Sequence, residues 1–260
     1  MMNYIKSELY RVIHSKGIYI LMGICGGLLL AMNLILYFVE RDNPIFQYDT
    51  TLFSFSMVEN SLGIVFILTV CLGCMIFADE YKNKTIMNSI ASGYSKTSIY
   101  IGKMIVGIIV SISALVIVLS VFIASGCLLL KNSGEEGELI LEIIKVFGVY
   151  APILITGLIA AITLSFLIGN VAGATWTWIG LFMGVPMISS LLEMKFAFFG
   201  ELSKWLVFNL IGNGTVSETQ GFVMLWKTQD GLYRCLLAGF MGIAVFLIIG
   251  LLGVRRKEIK

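Results

Sequence analysis

The sequence predicts an all-α integral membrane protein with six transmembrane helices, and three observations carry that prediction. Of the 260 residues, 58% are hydrophobic and 13% charged, where a soluble domain carries roughly 45–50% apolar and 25% charged residues. The mean hydropathy is +0.94. The apolar residues form continuous runs rather than alternating. In lipid every backbone N–H and C=O must be satisfied within the structure, so continuous runs select helices over a closed barrel. The Lys and Arg residues sort to one side of a six-span layout, as the positive-inside rule requires.

Residues 1–16 are expected to form an amphipathic helix at the membrane surface. Ile5, Leu9, Val12 and Ile13 share one helical face, and Lys6, Arg11 and Lys16 reach headgroups. The run Gly17–Val39 is too long for the core of a cleavable signal and reads as the first span. Residues 40–61, with Pro44, read as a short surface loop. The second span is expected at Leu62–Ala78 and the third at Ile101–Leu130, longer than the roughly 20 residues a bilayer needs. Residues 131–145, rich in Gly and Glu, read as a solvated turn. The fourth and fifth spans, Val146–Ile168 and Ala172–Leu192, are separated only by the tight turn Gly169-Asn170-Val171. The stretch 193–231 mixes Phe196, Phe198, Phe199, Trp205 and Phe208 with charges, and its apolar piece is too short to cross. It reads as a segment that sits at the interface or dips in and returns. The last span is Leu232–Val254, which makes the chain a single transmembrane domain over 1–260.

With both termini cytoplasmic, the inner side holds eleven Lys and Arg against four Asp and Glu, and the outer side seven against twelve. Inner +7 and outer −5 give the overall +2, and Arg255-Arg256-Lys257 agrees with this orientation.

The residues exclude several chemistries. Gly102-Lys103 lacks the upstream glycine of a Walker-A loop, and no G-x-S-x-G turn is present. His14 is the only histidine, too few for His-based metal spacing, and it reads as a headgroup-level side chain. Cys25, Cys71, Cys74, Cys127 and Cys235 lie in or near apolar runs and read as small hydrophobes, Cys71-x-x-Cys74 having no second pair to complete a site. From Gly17 to Val39, from Leu62 to Ala78 and from Met104 to Leu130 there is no charged residue, against the habit of ion- or proton-coupled transporters. Glycines 23, 26, 27, 169, 173, 239, 242, 250 and 253 are candidates for close helix contacts, unless they reflect only the frequency of glycine in membrane helices. Met22, Met32, Met75, Met183 and Met187 could fill the core or adapt to a greasy substrate.

The connection 79–103 stands apart. Ile86, Met87 and Ile90 give a short helix one apolar face, Ala91-Ser92-Gly93 would stop it, and Lys82, Lys84 and Lys96 flank it. This is either a helix that docks into a groove on a soluble partner or an ordinary basic loop. The order Phe77-x-x-Glu80-x-x-x-Lys84-Thr85, then Ser95-Lys96, then Gly102-Lys103 resembles the segment after the second span in permeases of the ABC-2 family. In style the chain is similar to small permeases of bacterial lantibiotic- or bacitracin-type immunity and export systems.

That resemblance implies a multi-pass subunit of a bacterial plasma-membrane exporter. It would pair with a second permease, identical or paralogous, above two separate ATPase chains that bind ATP and magnesium. This chain would then have no cofactor, no enzymatic activity and no nucleic-acid partner. Residues Tyr81–Tyr94 would be a cytoplasmic coupling helix, with Glu80, Lys82, Lys84, Thr85, Ile86, Met87, Ile90, Ser95, Lys96 and Lys103 as the coupling residues. The cargo would be an amphipathic peptide or a lipid-like molecule. Two other classes compete: a membrane-embedded enzyme using Glu193, Glu201 and Lys204 on lipid-linked substrates, and a non-transporting scaffold or sensor.

Overall fold

The computed structural model describes residues 2–42, 48, 50–83, 89–211, 214–217 and 221–256. Helix α1 (Met2–Ile13) precedes α2 (Lys16–Asp42), α3 (Thr51–Asn60), α4 (Leu62–Asn83) and α5 (Lys96–Leu129). There follow α6 (Glu136–Ile168), α7 (Val171–Ile179), a π-turn at Gly180–Gly184, α8 (Val185–Glu193), α9 (Ala197–Ser203) and α10 (Val207–Leu210). A hairpin, Gly214–Ser217 paired antiparallel with Gly221–Met224, leads to α11 (Gln229–Arg256). Apart from that hairpin the described fold is all-α. Among the described residues five helices are long and apolar enough to span a bilayer, with α7, the π-turn and α8 counted as one, and the pair α3–α4, bent by 50°, can make a sixth.

Helix α6 is the axis of the bundle. Two-thirds of its apolar window (67%) is buried, against 17–22% for the other spans, whose outer faces meet lipid. Its most extensive contacts are with α11 and then with α4. Lipid supplies no hydrophobic force between helices, so close approach has to do that work. A Cβ on Gly239 would lie 2.6 Å from Pro152 Cβ and 2.9 Å from the Ile153 nitrogen, and one on Gly242 would lie 2.5 Å from Thr156 Cγ2. Thr156 Oγ1 closes the crossing at 2.8 Å from the Gly239 carbonyl. The glycines of the first span behave differently: Gly23, Gly26 and Gly27 have nothing within 4 Å.

Two connections differ from the sequence expectation. The loop expected at 40–61 contains α3, whose buried residues Thr51, Ser54, Phe55 and Val58 recur at helical spacing, with Thr50 Oγ1 capping Phe53 N. The turn expected at 131–145 ends at residue 135, because α6 starts at Glu136 and Ile143 and Val146 are already core. Acidic residues in a first helical turn are favourable against the macrodipole, so Glu136 and Glu138 mark a helix start, not a loop. The turn before α7 is as expected, with Gly169 left-handed at φ 75° and Asn170 Oδ1 capping Ala172 N. The segment before α11 packs on the bundle: Leu210 and Ile211 are buried, and Tyr150 Oη donates to the Leu210 carbonyl at 3.1 Å.

At the end of the bundle away from the chain termini, Asn33 ties α2 to its neighbours. Its Nδ2 donates to Ser125 Oγ at 2.8 Å, and its Oδ1 accepts from Ser54 Oγ at 2.6 Å. All three side chains are buried. Asn33→Leu is expected to cost about 0.6–2 kcal/mol, the range of interhelical polar contacts in lipid. Thermal unfolding of the purified chain in detergent checks this, and an unchanged midpoint would remove Asn33 as an anchor.

Candidate functional site

The terminal end of the bundle gathers α1, the last turns of α4, the start of α5 and the final turns of α11. Helix α1 turns the stripe Tyr4, Glu8 and Val12 inward, spaced four residues apart. The expected apolar face is only partly used: Ile5 and Leu9 pack beneath α1, whereas Ile13 is exposed.

Glu8, the one acid in residues 1–16, is the centre of the joint. Arg11 Nη2 donates to Glu8 Oε2 at 2.7 Å and to the Ile76 carbonyl of α4 at 3.0 Å. Lys103 Nζ of α5 reaches the same Glu8 oxygen at 3.3 Å and sits 4.8 Å from the centroid of the Phe77 ring. The Lys103 side chain is fully buried and that of Glu8 only 7% exposed, so this charge cluster is inside the protein. In such a place charge pairing matters more than at a surface, because a buried ionised group is costly to leave poorly compensated.

Gly102 lets α1 approach: a Cβ there would lie 2.7 Å from the Tyr4 ring. Tyr4 in turn contacts Tyr94, with ring centroids 5.1 Å apart. In the first turns of α5, Tyr100 Oη is 2.8 Å from Thr163 Oγ1, and the ring meets Phe166 edge-on at 5.9 Å. Phe166 meets Phe77 edge-on as well. Gly250 of α11 faces the Tyr100 hydroxyl, where an added Cβ would lie 1.9 Å from it.

The predicted coupling residues fall into three groups. Glu80 and Lys82 belong to the last turns of α4. Lys84, Thr85, Ile86 and Met87 lie outside the described residues. Ile90, Ser95, Lys96 and Lys103 are described. Residues 89–91 are helical and end as expected at Gly93, left-handed at φ 87°. Ile90 packs against the cluster that contains Phe77 and Tyr100. Ser95 caps α5, its Oγ accepting from Ser98 N at 3.1 Å, and Lys96 is the first residue of that helix. The Lys103 ammonium is turned inward onto Glu8 instead of outward.

Sequence reasoning missed Tyr4, Glu8, Arg11 and Tyr94 as members of this joint. The available signal is a lone acid at the centre of the i, i+4, i+8 stripe Tyr4, Glu8 and Val12, beside the apolar face Ile5, Leu9, Val12 and Ile13.

The residues considered for an enzyme lie on the surface at the far end. Lys204 Nζ is 2.5 Å from Glu201 Oε1, and both side chains are exposed. The hydrogen bond and charge of Lys204 hold the Glu201 carboxyl below the usual range, so it is an anion at neutral pH and not a proton donor.

A family profile described as ABC-2 family transporter protein matches residues 4–187, which takes in α1 through α7 and the first three residues of α8, and with them Glu8, Arg11, Ile76, Phe77 and Lys103. The chain belongs to the ABC-2 transporter family. It is the multi-pass permease subunit of an ABC transporter and works with an ABC ATPase. Comparisons with curated proteins and with solved structures returned no match. In this ABC-2 permease the Gly102-Lys103 pair, noted first as sequence, is the socket into which α1 fits.

Proposed function

We propose that this permease is half of an exporter in a bacterial plasma membrane, with its terminal end cytoplasmic and residues 81–94 gripped by the ATPase. One observation supports the coupling assignment above the others. The Glu8 joint fastens α1 to α4 and α5, the two helices that flank residues 84–95. A displacement of that connection would then move α1, α4 and α5 as one body against the rest of the bundle. The excess of Lys and Arg at the terminal end supports the orientation.

Two permeases, identical or paralogous, would sit above two ATPases that bind ATP and magnesium. Spans with few charges suit an amphipathic peptide or a lipid-like cargo better than an ion or a sugar. Defence against a peptide antibiotic, as in the systems the sequence resembles, is the physiological setting that follows.

The test is co-purification and turnover. The chain is expected to isolate with a soluble protein that carries a Walker-A motif. Charge reversal at Glu80 or Lys84, or Ile86→Trp, is expected to abolish transport-coupled ATP hydrolysis while the permease stays folded and membrane-inserted. Stable variants that keep full coupled hydrolysis would refute the assignment of residues 81–94.

A further inference from the structure

The fifth span, Val171–Glu193, is built in two halves that belong to different neighbours. Its first half, α7, lies on α6 and α4. Trp178 is fully buried there, and its Nε1 donates to the Gly157 carbonyl of α6 at 2.8 Å. The ring of Phe182, inside the π-turn, meets those of Phe66, Trp178 and Phe246 at centroid distances of 5.3, 4.9 and 5.6 Å. The second half, α8, has its extensive contacts with α9 and with the π-turn itself. Among the described residues, none from 183 to 206 joins a hydrophobic cluster of the core. Trp178, Ile179 and Phe182 before them do, and so do Val207, Phe208 and Leu210 after them.

Helices α8 and α9 hold to each other instead. Ser189 Oγ donates to the Phe199 carbonyl at 3.3 Å, and the Phe196 N–H donates to the Leu192 carbonyl at 2.9 Å. The Glu193 side chain lies over Gly200, where a Cβ would meet its Oε1 at 2.9 Å. Met187, Ile188 and Leu191 of α8 and Phe198 of α9 are exposed. Hydrocarbon is as apolar as these side chains, so lipid does not press the pair onto the bundle.

The join between the two halves is weak. The Val185 N–H reaches back five residues to the Gly180 carbonyl, the spacing of a π-turn. Pro186 has no N–H, so the next bond of the helical ladder is missing. Gly184 stands between them, and a Cβ on it would meet nothing within 4 Å. Packing therefore does not require a glycine here, and glycine is the poorest helix former after proline. At its other end the pair returns to the bundle through 204–206, with Leu206 extended at φ −71° and ψ 128°. Asn209 Nδ2 of α10 donates to the Ser203 carbonyl at 3.1 Å and holds that return.

We propose that residues 185–203 are a rigid arm that pivots on 183–186 at the far end of the bundle, while α7 stays fixed on α6. The outer half of the fifth span then moves without breaking the core. The assignment depends on the build of this span and not on the coupling role of residues 81–94. It can therefore fail while that role stands, and the reverse.

The test measures spin-label distances by pulsed electron resonance on the full chain in vesicles of phosphatidylethanolamine and phosphatidylglycerol. Cys25 and Cys71 are changed to Ala, which leaves Cys127 as the exposed native thiol, with Cys74 and Cys235 buried. Met194→Cys, at the exposed tip of the arm, supplies the second label, and Leu141→Cys, exposed on α6, supplies a control. Labelled chain is diluted with unlabelled chain, so that each distance lies within one copy. The distribution from 127 to 194 is expected to be split in two, or at least twice as wide as that from 127 to 141. Gly184→Ala, which meets no clash, and Pro186→Ala, which restores an N–H, are each expected to narrow it toward the control. The distribution from 127 to 141 should stay unchanged in both, which shows that the bundle is intact. A distribution from 127 to 194 as narrow as the control would overturn the proposal. So would a broad one that neither variant narrows, because the movement would then lie elsewhere than at the π-turn.

Discussion

Replacing Glu8 by Ala is expected to lower the stability of the permease by about 1.5–3 kcal/mol, the contribution of a hydrogen bond to a charged group, because Glu8 accepts from both Arg11 and Lys103 at a buried site. Lys103 is fully buried between Glu8 and the Phe77 ring and cannot turn to water when the carboxylate is lost. Arg11 is a third exposed and keeps the Ile76 carbonyl within reach, so the burden falls on the lysine. Lys103→Met alone is expected to cost less, because Arg11 still neutralises Glu8. The double variant E8A/K103M should recover part of the loss, since it removes the buried ammonium together with the carboxylate, while the smaller alanine leaves a gap at residue 8. Thermal unfolding in detergent, followed by the reactivity of the buried Cys74 and Cys235, measures all three. Strict additivity of the single losses would show that Glu8 and Lys103 do not interact. Coupled ATP hydrolysis adds an independent readout: a double variant that is stable yet uncoupled would mean that α1 must be held by charge to follow the ATPase.

Gly239→Leu is expected to have the second large effect, detaching α11 from α6. The added side chain would start 2.6 Å from Pro152 and 2.9 Å from the Ile153 backbone nitrogen, and neither of these can swing aside as a flexible side chain would. Overpacking a tight contact costs about 1–3 kcal/mol, occasionally more. Here it also separates Thr156 from the Gly239 carbonyl at 2.8 Å. The same substitution at Gly23, with nothing within 4 Å, is expected to stay within about 0.5 kcal/mol, as surface changes do. Limited proteolysis of the α10–α11 connection and the unfolding midpoint distinguish the two. Equal behaviour of G239L and G23L would mean that α11 is not held by close approach.

The contrast between these glycines shows how far the sequence could be read. Composition marked Gly23, Gly26, Gly239 and Gly242 alike, because a glycine in a membrane helix looks the same whether it faces lipid or another backbone. The spans themselves were legible, since a run of apolar residues long enough to cross must be helical in lipid. Helix α3 was not, because Ser54, Ser56 and Asn60 dilute its apolar face below the signal of a span. Its burial comes from lying against α6 and α5. At the candidate site, Ser95 and Gly93 could be read as a helix start and a helix stop because capping is local. The direction in which Lys103 points could not be read, because it depends on an acid 95 positions away.

The sequence by itself determined the solvent, the helical class, the turn at Gly169-Asn170 and the location of the basic connection. These depend on summed hydropathy and on neighbours a few residues apart. Only the tertiary structure decided that Gly102 and Lys103 receive α1 and that α6 is the axis. Those features come from pairs of side chains brought together by folding. A charge or a missing Cβ carries no mark in the chain of which distant atom it will meet.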